Sequence, residues 1–226
     1  MKEGTGSMFA QVKAAIPRVV KQHAKRVYQD WQLTRAIKQL RTTGPTRVIL
    51  QQLRAGWGNE GFSADVSFLQ AIAEHVQQAT GPILECGAGV STLVAGLCAA
   101  KRGLAVWSLE QDATWAASVQ ARTAFLSNVT VLYAPLFNHW YDVRNLSLPH
   151  VFDLALCDGP AEFGPGFTGY ECRVGLLSRV PHIKTILVDD ADYSTEILAR
   201  WQRDYAAHVD LTRSEDGAYA VVSLSG

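Results

Sequence analysis

The segment 83–92 reads ILECGAGVST: an apolar run ends in Glu85, and Gly87 and Gly89 follow one residue apart. Glycines so placed let the backbone approach a ligand closely and adopt dihedrals that other residues avoid. With Ala88 they form a bend, and Ser91 and Thr92 open the next helical stretch, whose first amide groups face whatever the bend holds. Glu110 ends the run VWSLE, 21 residues after Gly89, where a carboxylate can accept from both hydroxyls of a ribose. Gln111 follows it. Together these residues suit recognition of a nucleoside; the plain alternative is a tight strand-to-helix turn.

Two nucleoside cofactors compete. A dinucleotide brings a pyrophosphate and favours a third glycine, where this chain has Ser91 or Thr92. Glu85 would then face two phosphates, which is repulsive. S-adenosylmethionine carries no phosphate, and its ammonium and sulfonium both favour a nearby carboxylate. Glu110 fits either cofactor, so Glu85 decides in favour of the sulfonium donor. A Glu85 turned into an apolar interior, or a Glu110 turned away from the nucleoside, would remove the argument.

A second group of acids closes two later apolar runs. Asp158 follows FDLALC and precedes Gly159-Pro160; Asp189 and Asp190 follow KTILV. Three converging carboxylates repel one another unless a cation, a proton or solvent intervenes. As catalytic groups they could hold Mg²⁺, which takes oxygen ligands and a substrate oxygen, or accept an acceptor's proton directly. Otherwise Asp189 or Asp190 caps the following helix and Asp158 anchors its turn. His139, Trp140 and Tyr141 offer a base and an aromatic pocket wall, or a solvated histidine and loop packing. The Gly-rich stretch 161–173 reads as a substrate loop or a long connection, and Arg173 as a partner for an anionic substrate or an exposed helix charge.

The elements that must position these groups alternate. Strand-like runs lie at 83–86, 104–109, 129–134, 152–157 and 184–188, with helical stretches at 91–100, 114–126, 169–180 and 194–207. Runs at 208–213 and 218–224 flank Glu215-Asp216-Gly217, a hairpin turn. Alternation predicts right-handed crossovers and a mostly parallel Rossmann-like α/β sheet with helices on both faces and an antiparallel closing strand. Upstream, helical spacing over 9–41 predicts one or two helices, and 64–78 another, with Ser63 as N-cap.

The 226 residues divide as a basic helical extension over 1–54 and one α/β domain over 55–226, with 1–7 read as a leader foreign to a chain whose own start is Met8. Residues 1–47 hold ten Lys/Arg against two Asp/Glu, +8, and residues 48–226 hold eleven against nineteen, −8. The basic arm suits self-association into a homo-oligomer or contact with a membrane surface; no recognisable RNA-binding module accompanies it, which ranks nucleic acid low. No apolar run approaches the roughly 20 residues of a membrane span, and no secretory signal is evident. Cys86, Cys98, Cys157 and Cys172 form no CxxC pair, which predicts reduced thiols in a cytoplasmic protein and argues against zinc.

LECGAGVST, LEQD, FDLALCDGP and ILVDDA together resemble the motifs of class I S-adenosylmethionine-dependent methyltransferases, in the small-molecule O-methyltransferase-like branch, over about residues 55–226. The resemblance implies a seven-stranded sheet in the order 3-2-1-4-5-7-6. It implies that Glu85, Gly87, Ala88 and Gly89 line the methionine end, that Glu110 holds the ribose and that Gln111 lies near the adenine. Trp57-Gly58-Asn59 resembles a stretch in some relatives that brings Asn59 near the cofactor. In the catechol-type subgroup an Asp and an Asp-Asn pair bind Mg²⁺; this chain has Asp158 and the pair Asp189-Asp190, without a lysine just after Asp158. The expected activity is methyl transfer to a small-molecule acceptor, at oxygen. The rivals are a nicotinamide-dependent oxidoreductase and a non-catalytic interaction domain.

Overall fold

The computed structural model describes residues 18–59, 61–164, 167–180 and 182–224. The leader at 1–7, the part 9–17 of the helical stretch expected over 9–41, and residues 165 and 166 of the Gly-rich stretch lie outside them.

Three helices lead in: α1 (Arg18–Thr43), α2 (Arg47–Trp57) and α3 (Val66–Gln78). Helix α2 has no counterpart in the sequence reading, although both its ends carry helix signals. The Thr46 hydroxyl accepts from the Ile49 N–H at 3.4 Å, and Gly58 stops the helix with a left-handed φ of 83°. Ser63 does not cap α3. Asp65 takes that position, while the Ser63 hydroxyl donates to the Asn59 carbonyl at 2.5 Å. Leu33, Ala36 and Leu40 of α1 join Ile49, Leu50 and Leu53 of α2 in the core shared with α3. The extension therefore packs into the domain through its second half.

The main sheet comprises β1 (Ile83–Cys86), β2 (Val106–Glu110), β3 (Val129–Tyr133), β4 (Phe152–Cys157), β5 (Ile183–Val188), β6 (His208–Ser214) and β7 (Gly217–Ser223). Their order is 3-2-1-4-5-7-6, with β7 antiparallel to both neighbours and the other pairs parallel. Helices α4 (Val90–Ala100) and α5 (Ala113–Thr123) follow β1 and β2; α6 (Gly175–Arg179) and α7 (Thr195–Tyr205) bracket β5. The helix expected over 169–180 divides into a 3-10 turn, Glu171–Val174, and the short α6. Two small ribbons, 136–137 with 140–141 and 162–164 with 167–169, lie outside the sheet.

The pleat sends alternate residues to two cores. Ile83, Leu154, Leu156 and Leu187 pack with α2, α3 and α4, while Leu84, Cys86, Ala155, Cys157 and Val188 pack with α6 and α7. All four cysteines are buried free thiols. Among the described residues no helix is long and apolar enough to cross a membrane. Winding reverses between β1 and β4, so a crevice opens beyond their carboxyl ends.

Candidate active site

Strand parity decides where Glu85 goes. It shares a face of β1 with Ile83, the face that α4 covers, and its register partner on β2 is Ser108. The side chain is inaccessible to solvent. Its Oε2 accepts from Ser108 Oγ at 2.5 Å and from Thr92 Oγ1 at 2.6 Å, and Thr92 Oγ1 in turn accepts from the Gly89 N–H at 2.9 Å. Burial pushes the carboxyl up to about 7, against the pull of the Ser108, Thr92 and Ser91 hydroxyls. Oε1 is buried with no hydrogen-bond partner. The sequence argument treated Glu85 as an open charge beside the ligand. The carboxyl lies instead beneath the bend, in a pocket of hydroxyls, with one acceptor unused.

Glu110 ends β2 and is nearly buried, at 8% exposure. Its Oε2 accepts from the Ala88 N–H at 3.1 Å and its Oε1 from the Asp112 N–H at 2.9 Å. Burial raises its pKa, and these backbone donors oppose the rise. The Ala88 carbonyl accepts from Trp115 Nε1 at 2.7 Å. The bend is thus held from both sides, and Trp115 and Ser108 are supporting residues that the sequence reading missed. Gln111 donates to the Ala161 carbonyl at 2.8 Å and accepts from its N–H at 3.3 Å, which ties the end of β2 to the loop after β4.

The two glycines differ. Gly87 has a φ of 94°, and a β-carbon there would stand 2.9 Å from the Gly159 nitrogen; its bareness serves the fold. Gly89 is extended, with a φ of −175°, and an added β-carbon would meet only Ser91 Oγ, at 3.8 Å. Nothing in the chain requires a glycine there. The bare backbone is an open cradle at the start of α4, of the kind a cofactor fills.

Asp158, Asp189 and Asp190 converge as expected, at the ends of β4 and β5, but with a guanidinium among them. Arg173, read as an exposed helix charge or a substrate partner, is 1% exposed. Its Nη1 donates to the Asp189 carbonyl at 2.7 Å and its Nη2 to the Asp158 carbonyl, with Nη2 also 3.6 Å from Asp158 Oδ1. Asp189 Oδ1 accepts from the Asp190 N–H at 3.0 Å, and Asp190 Oδ2 accepts from Tyr170 Oη at 3.2 Å. Burial raises Asp158 to about 6 despite Arg173, with Asp190, Glu110 and Asp65 adding to the rise. Burial likewise holds Asp189 well above the usual carboxylate range. Among the described residues no three His, Cys, Asp or Glu side chains are grouped to hold a metal ion. The expected Mg²⁺ site finds no support in this arrangement: Asp158 Oδ1 faces Arg173, one oxygen of Asp189 accepts from a backbone amide and one of Asp190 from a phenol. The capping alternative fails as well, since neither Asp189 nor Asp190 makes a side-chain cap and Ser194 takes the N-cap position of α7.

These acids line a cavity of about 420 Å³ whose opposite wall is Arg54 and residues 61–65, the segment that leads into α3. Arg54 and Asp65 form an ion pair there at 3.3 Å. Asn59 lies just upstream, where its carbonyl anchors a turn by accepting from the Phe62 N–H at 3.0 Å. Trp140 and Tyr141 are 1% exposed and pack edge to face at 5.3 Å in the second core, the packing alternative of the two expected for them. His139 is exposed beside them.

No protein-family model matches the chain, and no curated protein matches it in sequence. Solved structures match it in fold. The methyltransferase PaMTH1 of Podospora anserina, bound to S-adenosylhomocysteine, superposes with a TM-score of 0.57 at 13% identity, over 93% of this chain and 97% of its own. The O-methyltransferase of Bacillus cereus, in complex with S-adenosylhomocysteine, gives 0.55 at 16% identity, over 83% and 96%. At such identities the likeness is one of fold, and the chain has the Rossmann-like methyltransferase fold.

Proposed function

We propose that this protein is an S-adenosylmethionine-dependent methyltransferase acting at oxygen on a small molecule. One arrangement carries the reading: Glu110 holds the Ala88 N–H across a bend whose next residue, Gly89, is bare without any structural need. A carboxylate oxygen that accepts one backbone donor keeps a lone pair for a ribose hydroxyl. Glu85 Oε1, buried beneath the bend without a partner, is assigned to the underside of the cofactor's methionine end. Ser91 and Thr92 belong to the supporting frame, and Gln111 and Asn59 are assigned to the rim. The complexes of the Bacillus cereus and Podospora anserina proteins with S-adenosylhomocysteine support the choice of cofactor.

When bound, S-adenosylmethionine supplies a methyl group on a positively charged sulfur. The chain's own residues do the rest. The cavity of about 420 Å³ suits a small acceptor. Asp158 lines it with a pKa of about 6, so it is largely ionised at neutral pH and able to take a hydroxyl proton. Asp158 would take the proton that an acceptor hydroxyl loses on being methylated. Asp189 and Asp190 line the same cavity, where Asp190 Oδ2 accepts from Tyr170 Oη. Orientation and exclusion of water do the larger part of such an in-line transfer.

Calorimetry tests the reading. S-adenosylhomocysteine should bind the wild type and NAD should not, while Glu110→Gln and Glu110→Ala should lose detectable binding with an unchanged circular dichroism spectrum. Binding of NAD alone would establish the oxidoreductase instead. Tight S-adenosylhomocysteine binding with no methyl transfer to any hydroxyl in an acceptor panel would favour the interaction domain.

A further inference from the structure

The carboxylates at the ends of β4 and β5 pose a charge problem, and the chain contains its own answer. Asp158, Asp189 and Asp190 face one cavity, with Asp65 on the opposite wall. Such a set repels itself unless a cation, a proton or solvent intervenes, and a cation relieves all of it at once. A divalent ion is one source; a buried guanidinium is another, and its planar fork of five donors suits a site of fixed oxygens.

Arg173 fits that place in detail. It rises from the 3-10 turn that follows the Gly-rich connection, and it is buried to 1%. Its two terminal nitrogens reach the Asp189 carbonyl, the Asp158 carbonyl and, at 3.5 Å, the Ser194 hydroxyl. The same group lies 3.6 Å from Asp158 Oδ1 and 4.4 Å above the Tyr170 ring, whose hydroxyl binds Asp190. One residue therefore joins the end of β4, the end of β5 and the start of α7, and it brings a positive charge to Asp158 and Asp189. Only Nε is left without a partner. One oxygen of Asp189 accepts from a backbone amide, one of Asp190 from a phenol, and Asp158 Oδ1 faces the guanidinium, which brings to the cluster the charge a metal would bring.

We propose that Arg173 is the resident cation of this acid cluster, a positioning residue that takes the structural place of a divalent metal and makes the site metal-independent. Its meaning for catalysis rests on the methyltransferase reading, but the test does not.

The wild-type protein is titrated with MgCl₂ and with MnCl₂ by calorimetry and followed by thermal shift, each with and without S-adenosylhomocysteine. No saturable binding at millimolar concentrations and no shift in melting temperature are expected, and S-adenosylhomocysteine affinity should be the same in EDTA. Saturable Mn²⁺ binding that disappears in Asp189→Asn overturns the proposal, whatever the cofactor result. Failure of S-adenosylhomocysteine to bind would count against the function alone.

Charge is separated from packing by two variants. Arg173→Lys keeps a cation and Arg173→Met keeps only the bulk. The Lys variant should melt several degrees above the Met variant, and millimolar guanidinium or Mn²⁺ should raise the melting temperature of Arg173→Ala but not of the wild type. Equal melting of the Lys and Met variants would show that Arg173 merely fills space. Should no variant fold, the metal titration of the wild type still decides the matter.

Discussion

A carboxyl group with a pKa near 7 is a poor fixed charge at neutral pH, and Glu85 is such a group. The burden of choosing a sulfonium donor over a phosphate-bearing one therefore shifts toward Glu110 and the open backbone at Gly89. Burial of Glu85 also has a thermodynamic sign. Its pKa rises from 4.5 to about 7 on folding, so the folded chain holds that proton more tightly than the unfolded one. The associated stability is full below about 4.5 and is lost as pH climbs through about 7. The loss amounts to roughly 3 kcal/mol at most. Asp158, raised to about 6, contributes in the same direction. Urea denaturation of the ligand-free protein should show stability falling from pH 5 to 7.5, and Glu85→Gln should flatten that fall. A variant with the wild-type slope would mean that Glu85 does not titrate as its burial demands. An ammonium brought to Oε1 would reverse the shift, so S-adenosylhomocysteine binding near pH 7 should release protons, readable by calorimetry in buffers of different ionisation enthalpy.

At the scale of elements, the bend between β1 and α4 separates two kinds of glycine. Gly87→Ala forces a β-carbon into a left-handed φ and against the Gly159 backbone, and should destabilise the fold by about 1–3 kcal/mol. Gly89→Ala adds a methyl group to open space and should leave stability within about 0.5 kcal/mol. It should nevertheless weaken S-adenosylhomocysteine at least tenfold. A Gly89→Ala protein of normal affinity would place the cofactor elsewhere. The middle of the sheet was legible because its central strands are buried on both faces, which makes apolar runs such as ILEC and FDLALC stand out between turn residues. Helix α2 was readable in principle from Thr46 and Gly58, but its pattern merges with that of α1 across Gly44-Pro45. Arg173 was not legible. Its burial depends on carbonyls 15 and 16 residues away along the chain, and no local period encodes that contact. Between a pocket wall and packing for Trp140 and Tyr141 the sequence could not choose, since Gly175, against which Trp140 packs, lies on a separate element.

For the whole molecule, the unbalanced part is α1. Its second half buries Leu33, Ala36 and Leu40, whereas Val19, Val20, Val27, Tyr28 and Trp31 in its first half are between 53% and 74% exposed. Arg35 lies over the Trp31 ring at 5.6 Å, so basic charge borders this apolar surface. A helical stretch with so little tertiary burial is close to the length, about 12–15 residues, below which helices are marginal in water. If a second copy of the chain covers it, drawn by the −8 balance of residues 48–226 to a +8 arm, its helicity should depend on protein concentration. Hydrogen exchange read by mass spectrometry discriminates. At low protein concentration the amides of 19–31 should exchange orders of magnitude faster than those of 33–43, and protection should spread toward residue 19 as concentration rises. Strong protection of 19–31 that is independent of concentration would mean that the helix is stable alone, and protection that appears only with anionic vesicles would assign the surface to a membrane instead.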